Sequence, residues 1–290
     1  MNHTEHHDHD DHGGLHRDLL ATGAAIDRRG VLRLGARFGA VIGALQLAGC
    51  GDTPTSPSAT TTTAASTTNT TAATTTSPVT STSTCARVPQ ETEGPYPGDG
   101  SNGPNVLSST GVVRSDIRSS FAGLSGTAAG VPLNIALTIV SATTCAPMAS
   151  AAVYVWHCDR EGRYSLYTAG ATNQNYLRGV QEADGSGRVT FQSIYPGCYA
   201  GRWPHIHFEV YQNLAASASV RNKIATSQIA LPKSSNDIVY ATAGYEQSVR
   251  NAAQITLASD GVFSDGAALE LATMSGDVNG GMTAMLTVAI

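Results

Sequence analysis

The chain beyond its first third contains several short segments in which apolar, mostly β-branched residues alternate with polar ones or form short apolar runs. Gly, Pro, Asn and Asp separate these segments, as is typical of strands joined by turns. A helical repeat of apolar positions is found only weakly, over residues 236–250. We therefore predict strands over residues 132–141, 151–158, 188–194, 205–211, 226–231 and 283–290. Several short strands with little helix favour an all-β fold, an antiparallel β-sandwich.

The first part of the chain has the pattern of an export signal and is set aside from the fold. Arg28 and Arg29 form a twin-arginine pair, and an apolar run follows over residues 34–47. That run is shorter than the roughly 20 apolar residues that a membrane-spanning helix needs. It ends at Leu-Ala-Gly-Cys, which resembles a bacterial lipobox with Cys50 as the lipidated residue; a chance cysteine is the alternative. We expect residues 1–50 to be a twin-arginine, lipoprotein-type signal of an envelope or extracellular protein.

The next segment, residues 51–84, consists almost wholly of Thr, Ser, Ala and Pro. It offers too little apolar surface to offset the entropy cost of ordering, so we expect it to be an unfolded linker. Two interpretations stay open. One is a spacer that holds a domain away from the membrane, with or without glycosylation, and the other is a disordered insert without such a role. Six of the nine histidines precede the twin arginines and would be removed with the signal.

Residues 85–290 remain as one folded domain of a size that supports a substantial core. Acidic residues slightly outnumber basic ones and no Lys/Arg run occurs, so nucleic acid is not an expected partner. An even number of cysteines in an exported domain favours two disulfides, with three possible pairings. We expect Cys158 and Cys198 to lie near each other, because both flank the candidate site. The four cysteines of this part are Cys85, Cys145, Cys158 and Cys198.

The sharpest local signal for chemistry is a His-Ile-His sequence at the start of the strand predicted over residues 205–211. Side chains two apart on a strand share a face, with Cα atoms roughly 6.5–7 Å apart, so His205 and His207 can bind one metal ion. Pro204 fits the first residue of a strand, where a missing hydrogen-bond donor costs little. A His-x-His pair alone is more often structural. For His157, the third histidine of this part, a structural role is favoured over a metal role.

Two tyrosines follow predicted strands on loops, where sites on a sandwich are usually built. Tyr164 follows the strand that ends at Cys158, and Tyr199 follows the strand that ends near Ile194. A phenolate is a hard anionic oxygen donor and favours a hard trivalent ion. Two phenolates and two imidazoles would nearly balance the charge of ferric iron and leave a coordination position open. The alternative is that both tyrosines are ordinary amphipathic residues.

Three segments together resemble the intradiol ring-cleavage dioxygenases: Gly-Arg-Tyr at 162–164, Tyr-Pro-Gly-Cys-Tyr at 195–199 and Arg-Trp-Pro-His-Ile-His at 202–207. The sequence Thr-Glu-Gly-Pro-Tyr-Pro-Gly-Asp-Gly at 92–100 also resembles the family segment that precedes the sandwich and helps to shape the substrate entrance. This resemblance implies a β-sandwich enzyme with non-haem Fe(III). Such an enzyme opens catechol-type rings between the two hydroxyl-bearing carbons with O₂ and forms muconate-type dicarboxylates.

Carried over residue by residue, the resemblance implies roles for seven positions. Arg202 matches the active-site arginine, which stabilises negative charge on the ring. Gln228 and Tyr96 match residues that surround the ligands. Among the ligands, Tyr199 would be displaced by the bound catechol and would accept a substrate proton. The implied iron ligands are Tyr164, Tyr199, His205 and His207.

The chain differs from the best-known members of that family. It lacks their helical N-terminal dimerisation region, it carries a signal and a Thr-rich spacer, and it has cysteines beside the site. The substrate among catechol, protocatechuate and hydroxyquinol, and the oligomeric state, therefore stay open. The alternatives are an envelope-tethered binding module without catalysis and a zinc hydrolase, which usually needs a third His or carboxylate ligand. Neither alternative explains Tyr164, Tyr199 and Arg202.

Overall fold

The computed structural model describes residues 85–290, which form a sandwich of two four-stranded sheets. The signal and linker predicted for residues 1–84 lie outside the described residues. The strands in chain order are β1 (Pro132–Val140), β2 (Ala152–Trp156), β3 (Arg178–Glu182), β4 (Arg188–Ile194), β5 (His205–Tyr211), β6 (Lys223–Ala230), β7 (Thr273–Asp277) and β8 (Gly281–Ala289).

One sheet has the strand order β4-β1-β8-β7 and the other has the order β3-β2-β5-β6. Neighbouring strands are antiparallel except β1 and β8, which run parallel. The predicted all-β sandwich is confirmed, but the description as wholly antiparallel needs this correction. Parallel neighbours require a long connection, and nearly the whole domain lies between β1 and β8 along the chain.

Each of the six predicted strands overlaps an observed one, whereas β3 and β7 were not predicted. β7 has the sequence Thr-Met-Ser-Gly-Asp and is largely exposed, so it lacks the apolar alternation that marks a strand. The weak helical pattern over residues 236–250 coincides with two short helices, α1 (Lys233–Tyr240) and α2 (Glu246–Ala252). None of the helices in residues 85–290 is long and apolar enough to span a membrane.

The alternation of side chains along the strands separates the core from the candidate site. On β5, Ile206, Phe208 and Val210 point between the sheets and join the main apolar core. His205 and His207 point to the other face of the same strand, yet they too are buried. Burial on both faces is possible because loop residues, among them Val106, Leu107 and Val112, pack over the outer face of this sheet.

The cysteines form one disulfide among the described residues, between Cys85 and Cys145. The expectation of a second disulfide is wrong, because Cys158 and Cys198 are free and buried. They do lie near each other: the Cys158 thiol is 3.4 Å from the carbonyl oxygen of Gly197. The Cys198 thiol points instead to the carbonyl oxygen of Arg202, at 3.4 Å. Burial raises the pKa of Cys198 to about 12 and that of Cys158 well above its usual value, so both stay protonated.

Candidate metal centre

The two histidines of the His-x-His sequence face the same side of β5, as predicted. The Nε2 atoms of His205 and His207 are 3.0 Å apart. The imidazole of His207 stacks on the indole of Trp156 in β2, with ring centroids 4.8 Å apart and planes 6° apart. The register of the sheet pairs these two residues directly, so the ring of His207 is held in place by packing.

The protonation of His205 is set by its backbone partner. Its Nδ1 is 2.5 Å from the carbonyl oxygen of Trp203, which can only accept a hydrogen bond. Nδ1 therefore carries the proton, and Nε2 presents a lone pair. Burial, followed by the nearby Arg202, lowers the pKa of His205 to about 3. Burial and then His205 lower the pKa of His207 well below its usual value, so both imidazoles are neutral and able to bind a cation.

Tyr164 lies at the end of a turn that one buried carboxylate organises. Oδ1 of Asp159 accepts hydrogen bonds from the backbone N–H groups of Glu161 and Arg163, both at 3.0 Å. Its Oδ2 accepts a bond of 3.0 Å from the hydroxyl of Tyr176. This turn directs Tyr164, which is only 1% exposed, towards the histidines.

The loop that carries Tyr199 packs against that turn through glycines. The N–H of Gly197 donates to the carbonyl oxygen of Asp159 at 3.0 Å. A Cβ atom on Gly197 would lie 2.5 Å from the carbonyl oxygen of Arg160. On the opposite loop, Gly162 has a φ of +83°, and a Cβ there would lie 3.0 Å from that of Tyr199. The glycines of the two motifs thus allow the two tyrosine loops to approach each other.

The side chains of these four residues converge on one point, and we call their hydroxyl oxygens and Nε2 atoms the donor cluster. The hydroxyl of Tyr164 is 3.4 Å from Nε2 of His205 and 3.2 Å from Nε2 of His207. The hydroxyl of Tyr199 is 3.3 Å from Nε2 of His205. Donors that bind one ion at about 2.1 Å and at right angles lie about 3.0 Å apart. The donor set and its spacing therefore fit a single metal ion.

The chemical nature of the donor atoms limits which metal ions the cluster can bind. Among the described residues, no group of three or more His, Cys, Asp or Glu side chains could hold a metal ion. The cluster has two imidazoles, and its other donors are phenol oxygens, which suit a hard trivalent ion once ionised. Tyr199 is partly exposed, whereas Tyr164, His205 and His207 are at most 2% exposed. Access from solvent is therefore on the side of Tyr199.

Arg202 lies fully buried beside the cluster and is held by two further side chains. Its Nη2 donates to Oε1 of Gln228 at 2.7 Å, and its Nε donates to Oδ2 of Asp260 at 3.0 Å. Gln228 in turn donates to the carbonyl oxygen of Thr92 at 2.9 Å. Sequence reasoning missed Asp260, since it lies far along the chain in a loop whose only local signal is an Asp-Gly turn.

Residues 92–100, which we call the strap, cross over the cluster. The ring of Tyr96 lies 4.8 Å from that of Tyr164, centroid to centroid. The strap is fixed by Arg178, whose Nη2 donates to the carbonyl oxygen of Tyr96 at 2.9 Å and whose Nη1 donates to that of Pro97 at 2.6 Å. Arg178 was also missed, because it starts a strand that the apolar pattern did not reveal.

His157 is bonded to residues outside the cluster, and a separate cavity lies elsewhere in the fold. His157 bonds through Nε2 to the hydroxyl of Ser193 and through Nδ1 to the carbonyl oxygen of Cys158, both at 2.7 Å, which is a structural role. A cavity of about 810 Å³ opens between α1 and α2 behind Trp203. None of the four cluster residues lines this cavity.

Comparisons with known proteins agree with the motifs. A family model described as Dioxygenase matches residues 103–221, which include all four cluster residues and Arg202. A solved intradiol ring-cleavage dioxygenase from Tetranychus urticae is 25% identical, with a TM-score of 0.57, over 71% of this chain and 95% of that one.

Two further solved structures show a more distant similarity. One is the dioxygenase domain of a carbohydrate-binding fusion protein from Streptomyces sp. SirexAA-E, at 19% identity and a TM-score of 0.44 over 71% of this chain and 98% of that one. The other is a 3-chlorocatechol 1,2-dioxygenase from Rhodococcus opacus, at 13% identity and a TM-score of 0.44 over 69% and 71%. No curated protein matches the chain.

Proposed function

We propose that this chain, which contains a domain of the intradiol ring-cleavage dioxygenase family, is a ferric-iron enzyme. The proposed reaction converts catechols to muconate-type dicarboxylates. The family membership accounts for catechol-type ring cleavage in general. The proposal adds the metal, its ligands and the product. The observation that supports it most directly is the donor cluster, in which two neutral imidazoles and two phenol oxygens meet beside the buried guanidinium of Arg202.

The proposed ligands are Tyr164, Tyr199, His205 and His207. When bound there, ferric iron would act as a Lewis acid and draw electron density from the catecholate ring. Two phenolates would offset most of its charge within a buried site, where an uncompensated charge is costly. Neutral imidazoles are required for binding, and the low pKa values of both histidines ensure that they are neutral at physiological pH.

Three side chains of the protein have different roles in the proposed reaction. Tyr199 is the partly exposed member of the cluster, so it can give way to a catechol oxygen and accept the proton of a catechol hydroxyl. Tyr164 is buried beneath Tyr96 and stays in place. Arg202 supplies a fixed positive charge for the negative charge that develops on the ring during cleavage. Burial excludes water and strengthens that interaction.

The two alternative functions are less consistent with these residues. A zinc hydrolase would need a third His or carboxylate ligand, and the part of the chain that the structure describes has no such group. A binding module would have no use for a buried arginine next to four converging donor atoms. We also propose that the protein acts outside the cytoplasm, after export by its twin-arginine signal and anchoring through Cys50.

The visible absorption spectrum of the purified protein tests the proposed function. After loading with Fe(III), we expect a tyrosinate-to-iron charge-transfer band that shifts when catechol is added without oxygen. Admission of air should then consume one O₂ per catechol and give a dicarboxylic acid that carries both oxygen atoms, detected by mass spectrometry with ¹⁸O₂. A protein that remains colourless after iron loading would contradict the proposal and favour the binding-module alternative.

A further inference from the structure

We infer that Asp260 is a positioning residue for this reaction, whose buried carboxylate fixes the guanidinium of Arg202 beside the donor cluster. The inference rests on the proposed function, because it assigns Asp260 to the residue that would stabilise charge on the substrate ring. Asp260 does not belong to any of the sequence motifs, and it follows Arg202 by 58 positions.

Each oxygen of the Asp260 carboxylate has a distinct set of partners. Oδ2 accepts from Nε of Arg202 at 3.0 Å and from the backbone N–H of Trp203 at 2.6 Å. Oδ1 accepts from the backbone N–H groups of Val262 at 2.8 Å and Phe263 at 3.2 Å. The carboxylate therefore joins the arginine segment to the turn that carries Phe263.

Phe263 and the backbone of Trp203 both lie next to His205, a member of the donor cluster. The ring of Phe263 lies 6.4 Å from that of His205, and the Arg202 guanidinium carbon lies 6.0 Å from the centre of the Phe263 ring. The carbonyl oxygen of Trp203 accepts the Nδ1 proton of His205. Asp260 thus orients two neighbours of His205 in addition to Arg202.

Charge explains why this position is a carboxylate. The side chains of Arg202 and Asp260 are both 0% exposed, and a buried guanidinium without an opposite charge is strongly unfavourable. Asp260 places an opposite charge in direct contact with the guanidinium, whereas Gln228 is neutral. Burial by itself would raise the pKa of Asp260, but Arg202 and the Trp203 N–H lower it below its usual value. The carboxylate therefore stays ionised.

The first test is Asp260→Asn in the iron-loaded protein, which keeps the shape and removes the charge. A guanidinium displaced by about 1 Å can reduce the rate about 100-fold, so we expect kcat for catechol to fall by about that factor. KM should change by less than about threefold, because the interaction acts on charge that develops during the reaction. Asp265→Asn, in an exposed position of the same loop, is the matched control and should leave kcat unchanged.

The second test separates positioning of Arg202 from a purely structural role of the carboxylate. Arg202→Met removes the arginine, so Asp260→Asn added to it should reduce kcat by no more than about threefold further. Metal-free protein gives a readout that does not depend on activity. Asp260→Asn alone should lower Tm by about 10 °C, because it removes a carboxylate that is paired with a buried guanidinium, and should lower it much less when Arg202 is already methionine.

The outcomes are distinguishable. Equal losses of kcat and Tm in both backgrounds would show that Asp260 serves only the backbone N–H groups of Trp203, Val262 and Phe263 and would overturn the inference. Should Asp260→Asn not fold, recovery of a folded protein by the added Arg202→Met would support it, and failure to recover would overturn it. A wild-type protein that binds iron but does not consume oxygen with catechol would instead refute the proposed function, and the inference with it.

Discussion

Arg178 and Ser165 are joined by two hydrogen bonds: Nε donates to the Ser165 hydroxyl at 3.0 Å, and Nη2 donates to the Ser165 carbonyl oxygen at 2.9 Å. Ser165 directly follows Tyr164, so this pair ties the loop of a proposed ligand to β3. The same guanidinium donates to the carbonyl oxygens of Tyr96 and Pro97 and to the Tyr154 hydroxyl. One buried side chain therefore fixes the ligand loop and the strap at the same time.

Replacement of this arginine should destabilise the protein and disturb the cluster. Arg178→Met removes all five N–H donors, including those to the carbonyl oxygens of Tyr96 and Ser165, and a buried carbonyl oxygen left unpaired costs about 1–3 kcal/mol. We expect the free energy of unfolding to fall by about 4 kcal/mol and the charge-transfer band of the iron-loaded protein to weaken. Arg178→Lys should recover only part of the loss, because an ammonium lacks the planar arrangement of donors. Urea unfolding and visible absorbance measure both effects.

The exposed Arg188 on β4 provides the matched control for that prediction. Arg188→Met should change the free energy of unfolding by no more than about 0.5 kcal/mol, as is usual for surface positions. An Arg178→Met protein as stable as this control would mean that the strap and the ligand loop hold their positions without the guanidinium.

Tyr164→Phe should abolish most of the iron colour and the ring-cleavage activity. The substitution removes one buried phenol oxygen from the donor cluster and changes little else, since the ring remains packed against Tyr96. We expect at least a 100-fold loss of kcat/KM with catechol and a much weaker charge-transfer band. Tyr211→Phe is the control, because its hydroxyl donates to Glu209 instead of the cluster. A fully active and normally coloured Tyr164→Phe protein would refute the ligand assignment.

Local patterns predicted the sandwich and the shared face of the two histidines, whereas the resemblance to the intradiol dioxygenases implied that the two tyrosines join them. Alternation along β5 placed His205 and His207 on one face, and turn residues placed Tyr164 and Tyr199 on loops at strand ends. The strap was found through the same resemblance, since its motif is continuous along the chain. Features that are encoded in one continuous stretch of the chain were therefore predictable from the sequence.

The residues that hold the site in place were not predictable in this way. Asp260 and Arg178 contact the site across long sequence separations, and neither belongs to a motif. The second disulfide was wrongly expected because an even cysteine count says nothing about where each thiol points. Cys158 and Cys198 are adjacent in the fold, yet both thiols are directed at backbone carbonyl oxygens. Such contacts are determined by the packing of distant segments.

Gly197→Ala should separate the two loops that carry the proposed tyrosine ligands. The added Cβ would lie 2.5 Å from the carbonyl oxygen of Arg160, so the backbone of one loop must move. We expect a loss of about 2 kcal/mol of stability, as for other overpacked positions, together with weaker iron binding. Gly185→Ala is a close control, because a Cβ there meets nothing within 4 Å. That change should be neutral or stabilise the protein by up to about 1 kcal/mol through the unfolded state.

Thermal unfolding and the iron charge-transfer band of the two alanine variants check this prediction together. If Gly197→Ala were as stable and as strongly coloured as Gly185→Ala, the close approach of the loops would not matter for the centre.

Glu270 should make the stability of the protein depend on pH. Its side chain is fully buried; Oε1 accepts a bond of 3.2 Å from the Ser227 hydroxyl, and Oε2 has no hydrogen-bond partner within residues 85–290. Burial, followed by the negative charge of the neighbouring Glu91, raises the pKa of Glu270 from 4.5 to about 8; the Ser227 hydrogen bond opposes this shift, and Asp265 and Asp260 add to it. The folded protein therefore holds a proton that the unfolded chain releases near pH 4.5.

A raised pKa in the folded state fixes the sign of this effect. The stability that the protonated carboxyl contributes is complete below about pH 4.5 and is lost as pH rises towards about 8, because the buried group must then ionise. Glu270→Gln cannot ionise, so its free energy of unfolding relative to wild type should increase between pH 5 and pH 8. Glu182→Gln, at an exposed position of β3, should show no such trend. Urea unfolding at both pH values gives the comparison, and a difference between wild type and Glu270→Gln that does not change with pH would show that Glu270 is ionised in the folded protein throughout this range.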